Sequence, residues 1–356
     1  MQLYPASALE DFVRRVLETL GCASVEAAVV AEHLISANLA GHDSHGIHLL
    51  SNYVEYAQRG ISRPNTAVEL ADDQGTILRF DGGFGLGQRV ALEATRIAAE
   101  RAHERGLVLW SLTRAMHVGR VGRYGEELVA QGLAGLFFVN VTGHAPFVAP
   151  HGGRDARLST NPLCIALPGD PPFLLDMATS QIAHGKAVVA RDKGVPLEPG
   201  LALDGAGEPT LDPNAYLDDP GALLPAGLHK GYGLGLACEL LAGVIGGGGT
   251  LAEPGPGDEV TRNHLFALTF RPDRFGDPAG QRDAVGRLAR YVTASPPRDP
   301  GSPVILPGEP ERRARARRSV EGIPLPQPTV AALLATARSL GLEEAALRPL
   351  AMSQAG

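Results

Sequence analysis

Apolar residues recur at three- and four-residue spacing from Leu9 to Val54, which predicts helices at the start of the chain. The first opens on the capping-box pattern Ser7-Ala8-Leu9-Glu10 and runs to Leu20, where Gly21 stops it. The second spans Ser24 to Ala40 and ends at Gly41. A third carries Ile47, Leu50, Tyr53 and Val54 on one face, with an N-cap at Asp43 or Ser44 and an end near Gly60. The period changes after Thr76. Ile77–Phe80, Leu107–Leu112, Gly135–Val141, Leu163–Leu167 and Phe173–Met177 read as strands, with helices over Arg89–Arg105 and Gly122–Gln131 between them. That alternation predicts an α/β fold.

Beyond Met177 the pattern loosens. Residues 192–228 are rich in Pro, Gly and Asp and read as a loop-rich excursion. Gly231–Ile245 is apolar throughout and predicts a buried helix, ended by Gly246–Gly249; residues 251–262 read as loop. Leu265–Phe270 is a strand candidate, and Arg282–Ala294 a surface helix of alternating charge. Arg312–Arg318 reads as a solvated basic helix face, and Thr329–Leu340 and Glu343–Leu350 as helices. The expected division is a helical domain from residues 1–70 with 325–356, and an α/β domain over 71–324.

Composition narrows the class. The chain has 356 residues, 44% hydrophobic and 20% charged, which suits a soluble globular protein with a large core. A net charge of −7 argues against a nucleic-acid scaffold, and no apolar run approaches a membrane span. The opening MQLYPASALEDF lacks a signal-peptide profile, and Cys22, Cys164 and Cys238 read as separate reduced thiols, so a cytoplasmic protein is expected.

Candidate chemistry begins at His42-Asp43-Ser44-His45-Gly46-Ile47-His48, which holds three of the 11 histidines. Placed at a helix start, Ser44 and His45 would meet the positive end of a helix dipole, suited to an anion. The cluster can be a polar helix start, a metal site or a proton-transfer site beside an anionic substrate. No HExxH and no cysteine pairs accompany it, so no metal is expected. The turn Asp81–Gln88 sits where G-x-G-x-x-G would cradle a pyrophosphate, but its glycine spacing fails and no acidic residue follows at the required distance. It reads as a structural turn. Further polar, glycine-bearing segments are Met116–Gly122, Ser159–Pro162, Asp176–Ser180 and His229–Leu234.

In that order these segments resemble the malate/L-lactate dehydrogenase family, which is unrelated to the Rossmann dehydrogenases. The resemblance covers nearly the whole chain. It takes in Gly41–Gly46 (GHDSHG), His117–Gly122, Thr160-Asn161-Pro162, Asp176–Ser180, Glu208–Pro213 (EPTLDP), His229–Leu234 (HKGYGL), Asn263 with Phe266, and Leu306–Glu311 (LPGEPE). It looks closest to the hydroxycarboxylate dehydrogenase branch. The resemblance implies a non-Rossmann cofactor domain with a mixed sheet flanked by helices, plus a helical domain from the two terminal segments. It implies interconversion of a 2-hydroxy acid and a 2-oxo acid with NAD, or NADP, by a homodimer or larger homo-oligomer.

By the same resemblance His45, with Ser44 as its orienting partner, and His117 are the catalytic candidates. Cofactor contacts would come from His45, Gly119, Arg120, Val121, Asp176, Met177, Ala178, Thr179, Ser180, Lys230, Asn263, Gly308, Glu309, Pro310 and Glu311, with Thr160 facing the substrate. The chemistry suits these roles, because an imidazole can take the hydroxyl proton as hydride leaves the alcohol carbon. As alternatives, Asp176 and Lys230 can form a structural ion pair and His117 can be an ordinary loop histidine. Where many relatives carry an arginine five residues after the serine, this chain has Leu49. His48 or a helix start is then expected to read the substrate carboxylate, and Leu49 to favour an apolar or aromatic substrate. Lys186 leans away from the imino-acid reductases of the family. The rival classes are such a reductase, a Ser44 hydrolase lacking the G-x-S-x-G elbow, and a cofactor-binding protein without turnover.

Overall fold

The computed structural model describes residues 2–218, 221–253 and 259–342. The helix expected over Glu343–Leu350 lies outside them. In chain order the first elements are β1 (Gln2–Tyr4), α1 (Ala6–Leu20), α2 (Ser24–Leu39), α3 (Leu50–Gln58), β2 (Glu69–Asp73), β3 (Ile77–Asp81), α4 (Gly87–Arg105), β4 (Leu107–Met116), α5 (Gly122–Ala130) and β5 (Ala134–Thr142). Then come β6 (Leu163–Leu167), β7 (Phe173–Met177), α6 (His184–Lys193), β8 (Ala202–Leu203), β9 (Pro209–Thr210), α7 (Pro213–Leu217) and β10 (Ala222–Leu223). The chain continues with α8 (His229–Cys238), β11 (Arg262–Phe270), α9 (Pro278–Thr293), α10 (Glu309–Glu321), β12 (Ile323–Leu325) and α11 (Gln327–Ser339).

The central sheet has seven strands in the order β2-β3-β4-β11-β5-β6-β7. Only β3 and β4 run parallel, joined by α4; every other neighbour is antiparallel. The α/β expectation therefore holds, with a mixed sheet. Its core stacks Phe80, Trp110 and Phe137 edge to face at 5.9 Å, and the Trp110 indole donates to Thr269 Oγ1 at 3.0 Å. A second core joins α1, α2 and α3 to α11, and β1 pairs with β12, so the two ends of the chain meet. These two short strands and β2 escaped the sequence reading, being too short or too polar to show alternation.

Two expectations are corrected. Helix α1 begins at Ala6 with Pro5 at its N-cap and no side-chain cap, so Ser7 forms no capping box. The loop-rich region 192–228 carries the two-residue strands β8, β9 and β10 as a small sheet, and Val148, Leu158, Ala187, Leu197, Tyr216 and Leu223 pack as a third core. The apolar run Gly231–Ile245 is not buried throughout. It is α8 followed by a π-helical segment, Glu239–Ile245, and Leu234, Leu240, Val244 and Ile245 are exposed.

The Asp81–Gln88 turn uses its amides on its own chain. Gly82 donates to Thr113 O, Phe84 to Arg114 O, Gly85 to Gly82 O and Gly83 to Asp81 Oδ1. Its last glycine, Gly87, is required by close packing of α4 on the end of β4, because a Cβ there would lie 2.2 Å from Met116 O and 2.4 Å from His117 O. Gly87→Ala is expected to cost about 1–3 kcal/mol through this overpacking, measured by chemical denaturation. A loss within error would show that the backbone at His117 yields freely.

Candidate active site

Between α2 and α3 the chain makes two 3₁₀ turns, Asp43–His45 and Ile47–Leu49. The α-helix starts only at Leu50. Neither Asp43 nor Ser44 is therefore the N-cap of an α-helix, and the expected helix-dipole site at Ser44 is withdrawn. Asn38, at the end of α2, holds the turn instead. Its Nδ2 donates to Asp43 Oδ1 at 2.7 Å, and its Oδ1 accepts from Ile47 N at 2.8 Å. Arg318 of α10 clamps both Asp43 oxygens, at 2.7 and 3.0 Å, and also donates to Asn38 O. Such bidentate, charge-assisted contacts fix geometry. The basic run 312–318 is thus only partly a solvated face, since Arg318 locks the turn. His42 Nε2 meets Glu311 Oε1 at 3.0 Å, a second tie between this turn and α10.

The turn places His45 beside His117, which follows β4. Their rings stack with centroids 5.7 Å apart and 23° between planes. Ser44 Oγ lies 3.1 Å from His45 Nδ1. His117 Nδ1 lies 2.7 Å from Tyr53 Oη of α3, and Gln88 Nε2 of α4 lies 2.6 Å from the same oxygen. Burial pushes the His117 pKa down to about 4, with His48 and His144 adding to it. Burial, then the His117 charge, likewise holds His45 well below the usual range. Desolvation thus favours the neutral form of both imidazoles near pH 7.

The loop after His117 runs against α2 and β7. Gly119 has φ 72°, and a Cβ there would lie 2.4 Å from His33 Nε2. Arg120 N donates to that nitrogen at 3.0 Å. The Arg120 side chain is 2% exposed, with Nη2 2.6 Å from Glu126 Oε1 and Nη1 3.7 Å from Asp176 Oδ2. Nη2 is engaged by Glu126, and Nε and Nη1 have no hydrogen-bond partner among the described residues. Asp176 Oδ2 accepts from Gly122 N at 2.9 Å. Burial raises the Asp176 carboxyl pKa despite the opposing Arg120 charge. A buried guanidinium with free N–H capacity, a carboxylate and a glycine turn fit a ligand that carries anionic and hydroxyl oxygens, such as a nicotinamide dinucleotide.

The other expected residues make contacts within their own segments and with neighbouring strands. Asn263 Oδ1 accepts from Val118 N at 2.9 Å, next to His117, and its Nδ2 donates to Asn140 O at 3.2 Å. Thr179 donates through both its backbone N and its Oγ1 to Thr160 O, at 2.9 and 3.1 Å. Ser180 Oγ donates to Ile182 O, so that hydroxyl serves the loop. Met177 ends β7 and Ala178 follows it, both half-buried. Val121 is buried in the sheet core behind the cradle. Gly308, at φ 84°, seats the Gly308–Glu311 loop against Leu174 of β7; Glu309 Oε2 accepts from Leu306 N at 3.1 Å, and Pro310 lies in the first turn of α10.

Two readings change. Asp176 pairs with Arg120, and Lys230 stands exposed in the first turn of α8, so the alternative ion pair between Asp176 and Lys230 does not form. Leu49 packs partly against the helical core, which weakens the expectation that it selects the substrate; His48 beside it is exposed.

Sequence reading missed Tyr53 as a polar group, Gln88, His33, Asn38 and Arg318. Tyr53 and Gln88 sit at core positions of helices, where nothing local distinguishes them from packing residues. It also missed a stacked wall. His144, Phe147 and His184 lie face to face, with centroids 4.3 and 4.1 Å apart, and His184 Nδ1 meets Tyr216 Oη at 2.7 Å. Next to His184, a Cβ on Gly185 would lie 3.0 Å from Ser44 Cβ, so this region reaches the turn that carries His45. Among the described residues no group of three or more His, Cys, Asp or Glu side chains is placed to hold a metal ion.

A mixed sheet, a buried Arg120 beside Asp176 at a glycine turn and two stacked imidazoles set this arrangement apart from the Rossmann dehydrogenases. The chain belongs to the malate/L-lactate dehydrogenase family, whose model matches residues 4–334. It is therefore a hydroxy-acid dehydrogenase by family, and the family implies a nicotinamide cofactor. It is 39% identical over 352 residues to hydroxycarboxylate dehydrogenase B of Escherichia coli O157:H7, covering 97% of this chain and 96% of that protein. It is 42% identical over 294 residues to an L-lactate dehydrogenase of Cupriavidus necator, covering 82% and 84%. The solved structure of a malate/lactate dehydrogenase from E. coli, itself described as putative, superposes with a TM-score of 0.94 at 37% identity over 100% of both chains.

Proposed function

We propose that the chain interconverts a 2-hydroxy acid and its 2-oxo acid with NAD, and that His117 moves the proton. The observation that carries this reading is the Tyr53 contact at 2.7 Å, which occupies His117 Nδ1 and leaves Nε2 as its one unengaged polar atom. The bound nicotinamide would accept or supply the hydride; the protein supplies position and the proton. His45, steadied by Ser44, stacks on His117 and would hold its ring in place. Asp176, Arg120 and the 119–122 turn would hold the cofactor, with Met177, Ala178, Thr179 and Ser180 along its edge. Asn263, Lys230 and the 308–311 loop would complete that site. The carboxylates of Asp176, Glu126 and Glu311 around the cradle favour ribose hydroxyls over a phosphate, which supports NAD rather than NADP. Thr160 and the exposed His48 would meet the substrate, with the His48 imidazole as a hydrogen-bond partner of its carboxylate.

Two further properties rest on the same reading. The exposed apolar side chains of α8 and the π-helical segment suit burial in a homodimer or larger assembly; a monomer mass by light scattering would remove this. Three buried, unpaired cysteines suit a reducing cytoplasm, and no helix among the described residues is long and apolar enough to cross a membrane.

The test is oxidation of NADH and NADPH by the purified protein against 2-oxo acids and cyclic imines. Turnover is expected with 2-oxo acids and a preference for NADH. Turnover confined to cyclic imines would overturn the substrate class, and a preference for NADPH would overturn the cofactor assignment.

A further inference from the structure

Gln88 is fully buried, yet its Oε1 has no hydrogen-bond partner. Its Nε2 points at Tyr53 Oη, and Tyr53 is 4% exposed with its hydroxyl on His117 Nδ1. The two ends of an amide are nearly the same size, so a half-turn exchanges them within the same space. We propose that Gln88 and Tyr53 form a two-position hydrogen-bond relay behind His117, in which rotation of the Gln88 amide selects the tautomer of the imidazole. The inference rests on the reading of His117 as the proton-transfer group.

In the first position Gln88 Nε2–H donates to the Tyr53 oxygen, and the Tyr53 hydroxyl donates to His117 Nδ1. The His117 proton then sits on Nε2. In the second, Tyr53 donates to Gln88 Oε1 and its oxygen accepts from His117 Nδ1–H. Nε2 then carries a lone pair. Only the second position accommodates both sides of the reaction. As hydride leaves C2 of the hydroxy acid with its electron pair, the hydroxyl proton passes to Nε2, and the C–O bond becomes a carbonyl. The resulting imidazolium keeps its Nδ1–H bonded to Tyr53. In the first position, transfer from Nε2–H to a nascent alkoxide would need Tyr53 to give its own proton to Nδ1. Burial raises the Tyr53 pKa and opposes that step. Each position leaves one end of the Gln88 amide unpaired, so neither is locked by the count of hydrogen bonds.

The groups facing His117 are His33 from α2, His45 and His48 from the 3₁₀ turns, Tyr53 from α3 and His144 after β5. The four other imidazoles all oppose charge on it when protonated. Tyr53 with Gln88 is therefore the pair positioned to stabilise the imidazolium. Both are positioning residues, acting through His117.

The experiment is the pH profile of kcat for hydroxy-acid oxidation by the full chain, in wild type, Tyr53→Phe, Gln88→Met and Gln88→Glu. Tyr53→Phe leaves Nδ1–H without an acceptor, so the acid limb should move down by about one pH unit, a tenfold loss of proton affinity. Gln88→Met should move it the same way by less. Gln88→Glu holds an acceptor permanently toward Tyr53, and the limb should move up by about one unit. KM for the hydroxy acid should stay within about threefold, since none of these residues is placed on the substrate. The ¹⁵N shifts of the His117 ring give the same reading without turnover: Tyr53→Phe should lower its titration midpoint, and Gln88→Glu should raise it. Unmoved limbs and midpoints, or movement of Tyr53→Phe and Gln88→Glu in the same direction, would overturn the relay. Loss of the relay signals with His117 still essential sinks this inference alone, whereas wild-type turnover by His117→Ala sinks the assignment of His117 beneath it.

Discussion

Replacing His117 with alanine is expected to lower kcat by about 10²- to 10⁴-fold, the range for removal of a positioned acid or base, with the KM for NADH little changed. The imidazole packs against His45 and Tyr53, and desolvation there pushes its pKa down to about 4. It is neutral across the physiological range, so oxidation of the hydroxy acid should be flat near neutrality and fall as pH drops through about 4. Reduction uses the protonated form and should rise as pH falls, until the fold fails. In His117→Ala the acid limb of oxidation should vanish. Stability supplies an independent check. The folded pKa of His117 is depressed below its ordinary 6.5, so the unfolded chain binds the proton more readily, and wild type loses stability as pH falls from about 6.5 to about 4. The variant should lose less over that window, measured by denaturant titration at several pH values. His45→Ala should retain the acid limb, because its partner keeps the Tyr53 contact. If instead His45→Ala abolishes turnover and His117→Ala retains it, the two roles are exchanged.

Much of the sheet was legible because strands such as Leu163–Leu167 and Phe173–Met177 are short apolar runs between turn residues, and the structure ends them where the sequence does. The Ser44–His45–Gly46 region was legible as chemistry but not as geometry. Its 3₁₀ turns depend on Asn38 and on Arg318, which is 275 residues from Asp43, and no local pattern encodes that contact. The apolar run Gly231–Ile245 misled for the opposite reason. An all-apolar pattern cannot distinguish a core helix from one that exposes a face. The pairing of His45 with His117 shows the same limit at the site. Each histidine stood out in its own segment, but their 5.7 Å stacking arises only when the helical core packs α3 beside the end of β4. Tyr53 and Gln88 lay hidden because the polar end of a buried side chain leaves no mark on a periodicity that registers only where the residue points.

Arg120→Met is the substitution expected to cost most in stability. The guanidinium is 2% exposed and lies between Glu126 and Asp176, whose side chains are 32% and 8% exposed. Removing one member of a buried ion cluster costs about 3–5 kcal/mol, because the carboxylate left behind is uncompensated; partial exposure of Glu126 places this case toward the lower end. The loss should depend on pH in a defined sense. Burial already raises the Asp176 pKa above its unfolded value, so the folded state holds that proton more tightly, and stability falls as pH rises through the window between the two. Without Arg120 the folded pKa rises further and the window widens toward neutrality. The variant should therefore lie closer to wild type at pH 5.5 than at pH 8 in chemical denaturation. Adding Asp176→Asn should recover part of the loss, because the amide needs no counter-charge. NADH titration should show weakened binding in both variants, since the single change removes the cation of the cradle and the double change also removes its carboxylate. A stability loss that is equal at the two pH values, or unchanged by Asp176→Asn, would mean that Arg120 acts through packing of its stem against the 119–122 turn and not through charge.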